Sequence, residues 1–259
     1  DFCERIGVSK VASTVDYSFL EHCLREDLNL HAQRAMAVLH PVKLRITNYP
    51  EGKSETVTVE NNPTDPASGT HEITFSRECW IEADDFMEVP VPKYKRLTPN
   101  GPECRLKGAY LITCTGCKKD ENGNVVEVYA EYDPNSPGGD PADGRKVKGA
   151  TIHWVDAATA LDAEVRVYSE LFSDPAPDGA DKDFLACMNP DSLEVLTGCK
   201  VEPRMRDIAA AYDKTEKKGK TAPNFQFMRL GYFCLDNKDC SEDHLVFNRS
   251  VTLKDSFKK

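Results

Sequence analysis

From Pro41 onward the chain changes face at every residue, and this alternation constrains the fold more than any other feature. In "PVKLRITNYP", Val42, Leu44 and Ile46 point one way while Lys43, Arg45 and Thr47 point the other. "SETVTVE" alternates in the same way, and "HEITF" and "CWIEADDF" are short and β-rich. A period of two cannot lay an apolar stripe along a helix, so these segments must pair as strands with one face covered. The clearest hairpin is "AYLITCTGCKKDENGNVVEVYAEYD", where Asn122-Gly123 suits the positive backbone angles of a tight turn. Further short runs follow in "GATIHWV", "AEVRVYSELF", "DSLEVLTGC", "FQFMRLGYFCLD" and "VFNRSVTL", with turn residues between them.

Only the start of the chain reads otherwise. Residues 16–37 predict a helix followed by a short turn, with Asp16 as its cap and Leu20, Cys23, Leu24 and Leu28 on one face. Pro41 ends the helical character. The loop "DPNSPGGDPADG", 133–144, is the best internal boundary. The expected fold is therefore mainly β. A short helical segment over 1–38 precedes two antiparallel β-barrels, over 39–144 and 145–259. Strands near 40–50 are candidates for sharing with the second barrel.

Several function classes recede on the same reading. No apolar run approaches the roughly 20 residues that cross a bilayer. The opening "DFCERIGVSK" has neither a signal-peptide core nor an initiator Met, and reads as a chain that begins inside something larger. Ten cysteines are scattered, and "CTGC" (Cys114, Cys117) has no second close pair to complete a zinc site. Reduced, mostly buried thiols and a cytoplasmic location are expected. No phosphate-cradling loop, nucleophile elbow or zinc-protease motif is present. His31, His40, His71, His153 and His244 lie far apart in sequence, and the pairs Asp84–Asp85 and Asp140–Asp143 fall in turns. No catalytic residue, metal site or cofactor is expected in this chain.

One local feature opposes the bulk charge. The chain holds 33 basic and 43 acidic side chains, a formal charge of −10. Yet "PKYKRLTPNGPECRLKG", 92–108, gathers Lys93, Lys95, Arg96, Arg105 and Lys107 against Glu103 alone. An acidic protein repels phosphate overall, which argues against indiscriminate nucleic-acid binding, and a concentrated basic turn is either a solvated hairpin tip or a local contact with RNA. Unpaired, splayed bases are the usual target of sequence-specific RNA readers, and Arg offers a rigid donor fork to a base edge or phosphate.

The phrases "LEHCLREDLN", "RAMAVLHPVKL", "YKRL", "DPADGRKVKG", "IHWV", "FLACMNPDSL", "GYFCLD" and "VFNRSVTLKDSF" run in order from 20 to 257. Together they resemble the C-terminal part of the bacterial glutaminyl-tRNA synthetases. The resemblance implies that residues 1–38 end a helical connection to a class I catalytic domain, whose ATP motifs do not occur here. It implies that the barrels bind the anticodon of a glutamine tRNA. ATP and Mg would serve glutaminylation in the intact enzyme, a cytoplasmic monomer with no DNA or membrane partner.

Carried over by position, Arg96 of "YKRL" matches the residue that reads the third anticodon base, a guanine. Arg105 and Lys107 border the first base, with Lys95 nearby. Lys107 departs from an Arg in family members and loses the planar fork, and Lys93 stands where some members have Gln. Gln226 and Arg229 match residues around the central uracil. Three residues apart in a regular strand, they can share a base only if a bulge, twist or strand end intervenes. Arg34 of "AQRAM" matches another contact to that nucleotide, with a salt bridge to Glu26 or Asp27 as the alternative, and Asn29 is its weaker companion. Arg145, Lys146, Lys148 and the lysine run 214–220 receive no base-reading role. Two other readings stand beside this one: a barrel-type glutamyl-tRNA synthetase, whose anticodons share the central uracil but end in cytosine, and a free-standing RNA-binding β-barrel protein.

Overall fold

A computed structural model describes residues 2–11, 14–179, 181–212 and 222–257. The lysine run 214–220 lies outside them. In chain order come α1 (Phe2–Ile6), α2 (Tyr17–His31), β1 (Gln33–Ala35), β2 (Ala37–Val38), β3 (Pro41–Ile46), β4 (Ser54–Glu60) and β5 (Thr70–Ser76). Then follow β6 (Glu78–Glu82), β7 (Cys104–Leu106), β8 (Leu111–Lys119), β9 (Val125–Tyr132), β10 (Thr151–Ile152), β11 (Val155–Asp156) and β12 (Leu161–Tyr168). The last elements are β13 (Leu193–Val201), α3 (Arg204–Ala211), β14 (Asn224–Phe227), β15 (Gly231–Leu235) and β16 (Leu245–Thr252). The chain is mainly β, in two large sheets, one a nearly closed barrel and the other a half-barrel, with β4 and β5 paired in a separate two-stranded ribbon.

One seven-stranded sheet has the order β10-β7-β8-β9-β3-β6-β11, and the other β1-β14-β15-β16-β12-β13-β2. Most neighbours are antiparallel, but each sheet contains two parallel pairs: β3 with β9 and β7 with β10, then β1 with β14 and β12 with β16. Sheet membership departs from the sequence division in three places. Residues 33–38, expected with the helical lead-in, are edge strands of the second sheet. Residues 151–156, expected in the second barrel, join the first. Strand 41–46 belongs to the first sheet, so the shared segment lies just before it. Partner choice is decided by distant segments, which local alternation cannot register.

The alternation itself folds as read: β3 buries Val42, Leu44 and Ile46 and leaves Lys43 and Arg45 half-exposed. The hairpin β8–β9 forms, but only Gly123 takes a positive φ, and Asp120 closes a wider turn by accepting from the Asn122 and Asn124 N–H groups. Helix α2 starts where Asp16 accepts from Ser18 N at 2.8 Å. Its last residue is His31, capped by Ala32, six residues before the end of the 16–37 stretch read as helix and turn. Cys23 and Leu28 are buried, Leu24 half-buried, and Leu20 is exposed. Arg25 is buried instead, donating to the Thr252 carbonyl at 2.7 Å and pairing with Glu21 and Asp255.

Leu44, Phe75, Leu97 and Trp154 pack in the first core. Phe225, Phe227, Phe233 and Phe247 fill the second, with the rings of Phe227 and Phe233 centred 4.5 Å apart. Residues 36–40 cross between the sheets, and two buried carboxylates hold that crossing. Glu202 accepts from Met36 N at 3.0 Å, while Glu82 accepts from Leu39 N at 2.7 Å and His40 N at 3.0 Å. Burial alone would raise the Glu202 carboxyl, but the His71 ring, the Arg204 guanidinium and the Met36 N–H together hold it below the usual carboxylate value. A carboxyl lowered in the folded state stabilises fully above its unfolded value of about 4.3, and that stability is lost as pH falls through the lower folded value. Urea unfolding should therefore weaken below about pH 4.3 in the wild type. Glu202→Gln should show a shallower pH slope there, and equal slopes would remove Glu202 from the account.

Candidate nucleic-acid interface

A small cleft of about 70 Å³ opens where the two sheets meet. Arg34, Ala35 and Met36 come to it from the start of the second sheet, and Gln226 and Met228 from β14 and its turn. Val59, Glu60, Pro63 and His71 come from the ribbon β4–β5 and its loop, and Lys107 from the first sheet. Strands β1 and β14 run parallel with Arg34 opposite Gln226, so the register itself puts these two side by side.

Arg34 is only 5% exposed, yet no carboxylate pairs with it among the described residues. Its Nη1 donates to the Ala32 carbonyl at 2.8 Å, and Nη2 donates to the Asn29 carbonyl at 3.0 Å and to Asn29 Oδ1 at 3.1 Å. The expected alternative partners are engaged elsewhere: Glu26 with Arg5 and His22, Asp27 with His31. Burial accordingly pushes the Arg34 guanidinium down from its ordinary value. A buried cation without a counter-charge is costly, and here it borders an open cleft.

Asn29, exposed on the last turn of α2, shares this cluster with Gln226 through a residue the sequence reading missed. Tyr232 OH lies 3.4 Å from Asn29 Oδ1 and 3.1 Å from Gln226 Nε2. The visible signal was the phrase "GYFCLD", whose tyrosine sits directly opposite Gln226 on β15. Gln226 Oε1 accepts no hydrogen bond among the described residues. Lys107 Nζ likewise has no partner among them and stands at the cleft.

Arg96 and Arg229 form a second cluster, on Asp85. This carboxylate is fully buried in the short turn 83–85. Arg229 donates to both its oxygens, Nη2 at 2.6 Å and Nη1 at 2.8 Å, and Arg96 Nε lies 3.3 Å away. Arg96 Nη1 also donates to the Asp84 carbonyl at 3.1 Å, leaving both Nη2 protons free of partners among the described residues. Strand β14 ends at Phe227, and Arg229 sits in the following turn with φ of +67°, a left-handed backbone that costs a non-glycine residue about 1–3 kcal/mol. The strand end that would free Gln226 and Arg229 from opposite faces is thus present. They nonetheless engage different partners, Tyr232 and Asp85, and Arg229 does not line the cleft that Gln226 lines.

His153, in "IHWV", is buried with Nδ1 3.3 Å from Arg229 Nη1. A guanidinium only donates, so Nδ1 accepts and the ring proton sits on Nε2, facing Glu82 Oε1 at 3.6 Å. At that separation His153 Nε2 makes no hydrogen bond to Glu82, and it has no other partner among the described residues.

The remaining basic residues divide. Lys93, in a left-handed conformation with φ of +70°, and Lys95 are exposed, with side chains unpaired among the described residues. Arg105 is tied to the boundary loop, donating from Nε to the Gly139 carbonyl at 2.6 Å and from Nη2 to Asp140 at 3.0 Å. Gly139 makes room for it, since a Cβ there would fall 2.5 Å from Arg105 Cγ. Arg145 pairs with Glu103, Asp133 and Asp143. Glu103 therefore answers Arg145, Arg96 and Arg105 meet Asp85 and Asp140, and within 93–107 only the lysines keep side chains unpaired among the described residues. By contrast, a wide groove at the far end of the second sheet is lined by Asp16, Glu21, Glu170, Asp174 and Arg249, with Glu21 and Asp174 answered by Arg25 and Lys182 beside it, a net acidic rim less suited to phosphate. Among the described residues no cluster of His, Cys, Asp or Glu is placed to hold a metal ion, and no helix is long and apolar enough to cross a membrane.

Comparison with known proteins converges on the same two sheets. Residues 32–133 and, separately, residues 151–236 match family models for the anticodon-binding domain of class I tRNA synthetases (E and Q). The chain is 51% identical over 257 residues to a glutamine–tRNA ligase of Aliivibrio fischeri, covering 99% of this chain. It is 50% identical over 259 residues to that of Clostridium kluyveri, covering all of this chain, and 50% over 257 residues to that of Bordetella pertussis. It spans 44%, 44% and 41% of the length of these relatives, respectively. The first matched segment lends 33–38 to the second sheet and the second lends 151–156 to the first, so the two interlock. The chain belongs to the class I (E and Q) tRNA synthetase family, of which it holds the anticodon-binding domains.

Proposed function

We propose that this chain is the anticodon-binding part of a glutamine–tRNA ligase, and that it holds the opened anticodon loop of a glutamine tRNA across the junction of its two barrel units. The observation that carries this reading is Arg34: a buried guanidinium with no carboxylate partner among the described residues, at a small cleft it shares with the Gln226 oxygen and the Lys107 ammonium, which are likewise unpartnered among them. A uracil edge offers a ring N–H and two carbonyl oxygens, which complement an amide oxygen and guanidinium donors. Arg96 and Arg229, set by Asp85, address a neighbouring nucleotide, and Lys93 and Lys95 contact its phosphates. Arg105, bound into the 139–140 loop, shapes the rim near Lys107. Glutaminylation, with its ATP and Mg, belongs to the remainder of a protein of the relatives' length, a cytoplasmic monomer.

Filter binding of anticodon stem-loops tests this directly. CUG should be retained more tightly than CUC or CAG, and comparable retention of all three would contradict the reading. A preference for CUC would instead select the glutamyl alternative. Arg96→Ala should weaken CUG binding by about 1–3 kcal/mol and relax the choice between CUG and CUC. An equal loss on every stem-loop would make Arg96 a phosphate anchor.

A further inference from the structure

The polarity of the cleft is set outside it. Arg34 can only donate, so the Asn29 atom 3.1 Å from its Nη2 is the amide oxygen. An amide oxygen only accepts, so the Tyr232 hydroxyl proton, 3.4 Å away, points to it. With its proton committed, the hydroxyl accepts from Gln226, and the atom at 3.1 Å is the amide nitrogen. Gln226 Oε1 is then turned away from Tyr232 as an acceptor.

We propose that Tyr232 is a specificity-determining positioning residue, whose hydroxyl locks the Gln226 amide so that the cleft takes a pyrimidine carrying a ring N–H and rejects one carrying a ring lone pair. This rests on the anticodon reading above and adds the step that reading lacks. A glutamine amide free to flip would pair as well with cytosine N3 as with uracil N3–H. A locked one sets its oxygen lone pair against the lone pair of cytosine N3. Among the described residues the hydroxyl has no other hydrogen-bond partner. The Tyr232 ring is 3% exposed and packs with Leu28, Ala32 and Val251, contacts that phenylalanine would keep. The lock is built into the sheet, because Tyr232 and Gln226 are directly opposed on antiparallel strands.

The test is binding of the full chain and its Tyr232→Phe variant to stem-loops carrying CUG, CCG and CUC. The wild type should prefer CUG to CCG. In Tyr232→Phe that ratio should fall about tenfold, as for the loss of one hydrogen-bond-sized bias. The CUG-to-CUC ratio, read in the other cluster, should stay unchanged. Asn29→Ala, at an exposed helix position, removes the acceptor that fixes the hydroxyl proton, and should lower the same ratio even if Tyr232→Phe folds poorly. An unchanged CUG-to-CCG ratio in the variants, or an equal loss for all three stem-loops, overturns the positioning role. A wild type that binds CUG and CCG alike overturns the anticodon reading and this inference with it.

Discussion

Asp85→Ala lowers the free energy of unfolding by about 3–5 kcal/mol, the cost of removing one partner from a buried ion pair. Asp85 has no exposed surface, and both its oxygens are taken by the Arg229 fork at 2.6 and 2.8 Å. Without it, a partly buried guanidinium from the second sheet faces the His153 ring and the Arg96 guanidinium, having lost its hydrogen-bonded counter-charge and keeping only the unbonded Glu82 carboxylate nearby. The turn that carries Asp85 is also where Leu97, Tyr94 and Arg96 are fastened, through the Asp85 and Asp84 carbonyls. Stability and RNA choice should therefore fail together. Asp84→Ala is the internal comparison. Its carboxylate is exposed and makes no hydrogen bond among the described residues, so its loss should stay within about 0.5 kcal/mol. Urea unfolding of the two variants side by side decides the matter, and equal effects would reduce Asp85 to an ordinary turn residue.

Trp154→Ala should cost a similar amount, about 3–5 kcal/mol, by a different route. The indole is fully buried and meets Phe75 edge-on at 5.1 Å between ring centres. Truncation leaves a cavity lined by groups that cannot all collapse into it. It also orphans the Lys107 carbonyl, which accepts from Trp154 Nε1 at 3.0 Å. Trp154→Phe should recover most of the packing while still losing that bond. Thermal and urea unfolding that place the alanine variant within 1 kcal/mol of the wild type would show that this part of the first core is not packed as described. The functional corollary is that the backbone presenting Lys107 to the cleft is held by a residue from the segment 151–156, which the second family match contributes.

Much of this fold could be read from short-range pattern. Val42, Leu44 and Ile46 declare a one-sided strand, and Asp16 with Leu24 and Leu28 declares a helix start and its buried face. The stretch after His31 could not be read. "AQRAMAV" carries good helix formers, but residues 33–38 are claimed by β14 and β13 as sheet edges, and pairing overrides propensity. The membership of 151–156 in the first sheet was invisible for a related reason, since a two-residue strand has no period to detect. At the site, Arg96 stood out in the basic stretch 92–108, whereas Arg34 and Gln226 were named only through resemblance, and no local pattern would have singled those two out. Asp85 was passed over because an acidic pair in a turn ordinarily caps or solvates. Tyr232 was passed over because only the register of β14 against β15 shows which side chain it faces. Arg145 received no base-reading role from the sequence, and only the structure shows Glu103, Asp133 and Asp143 around it.

The central claim is spatial: the middle nucleotide of the anticodon lies between the two sheets. A CUG stem-loop carrying a photoreactive 4-thiouracil at its middle position, cross-linked to the chain and mapped by mass spectrometry, measures this directly. The account predicts adducts on the cleft segments around 34–36, 59–71, 107 or 226–232. Adducts confined to the acidic groove around 168–177 and 249–252 would contradict it.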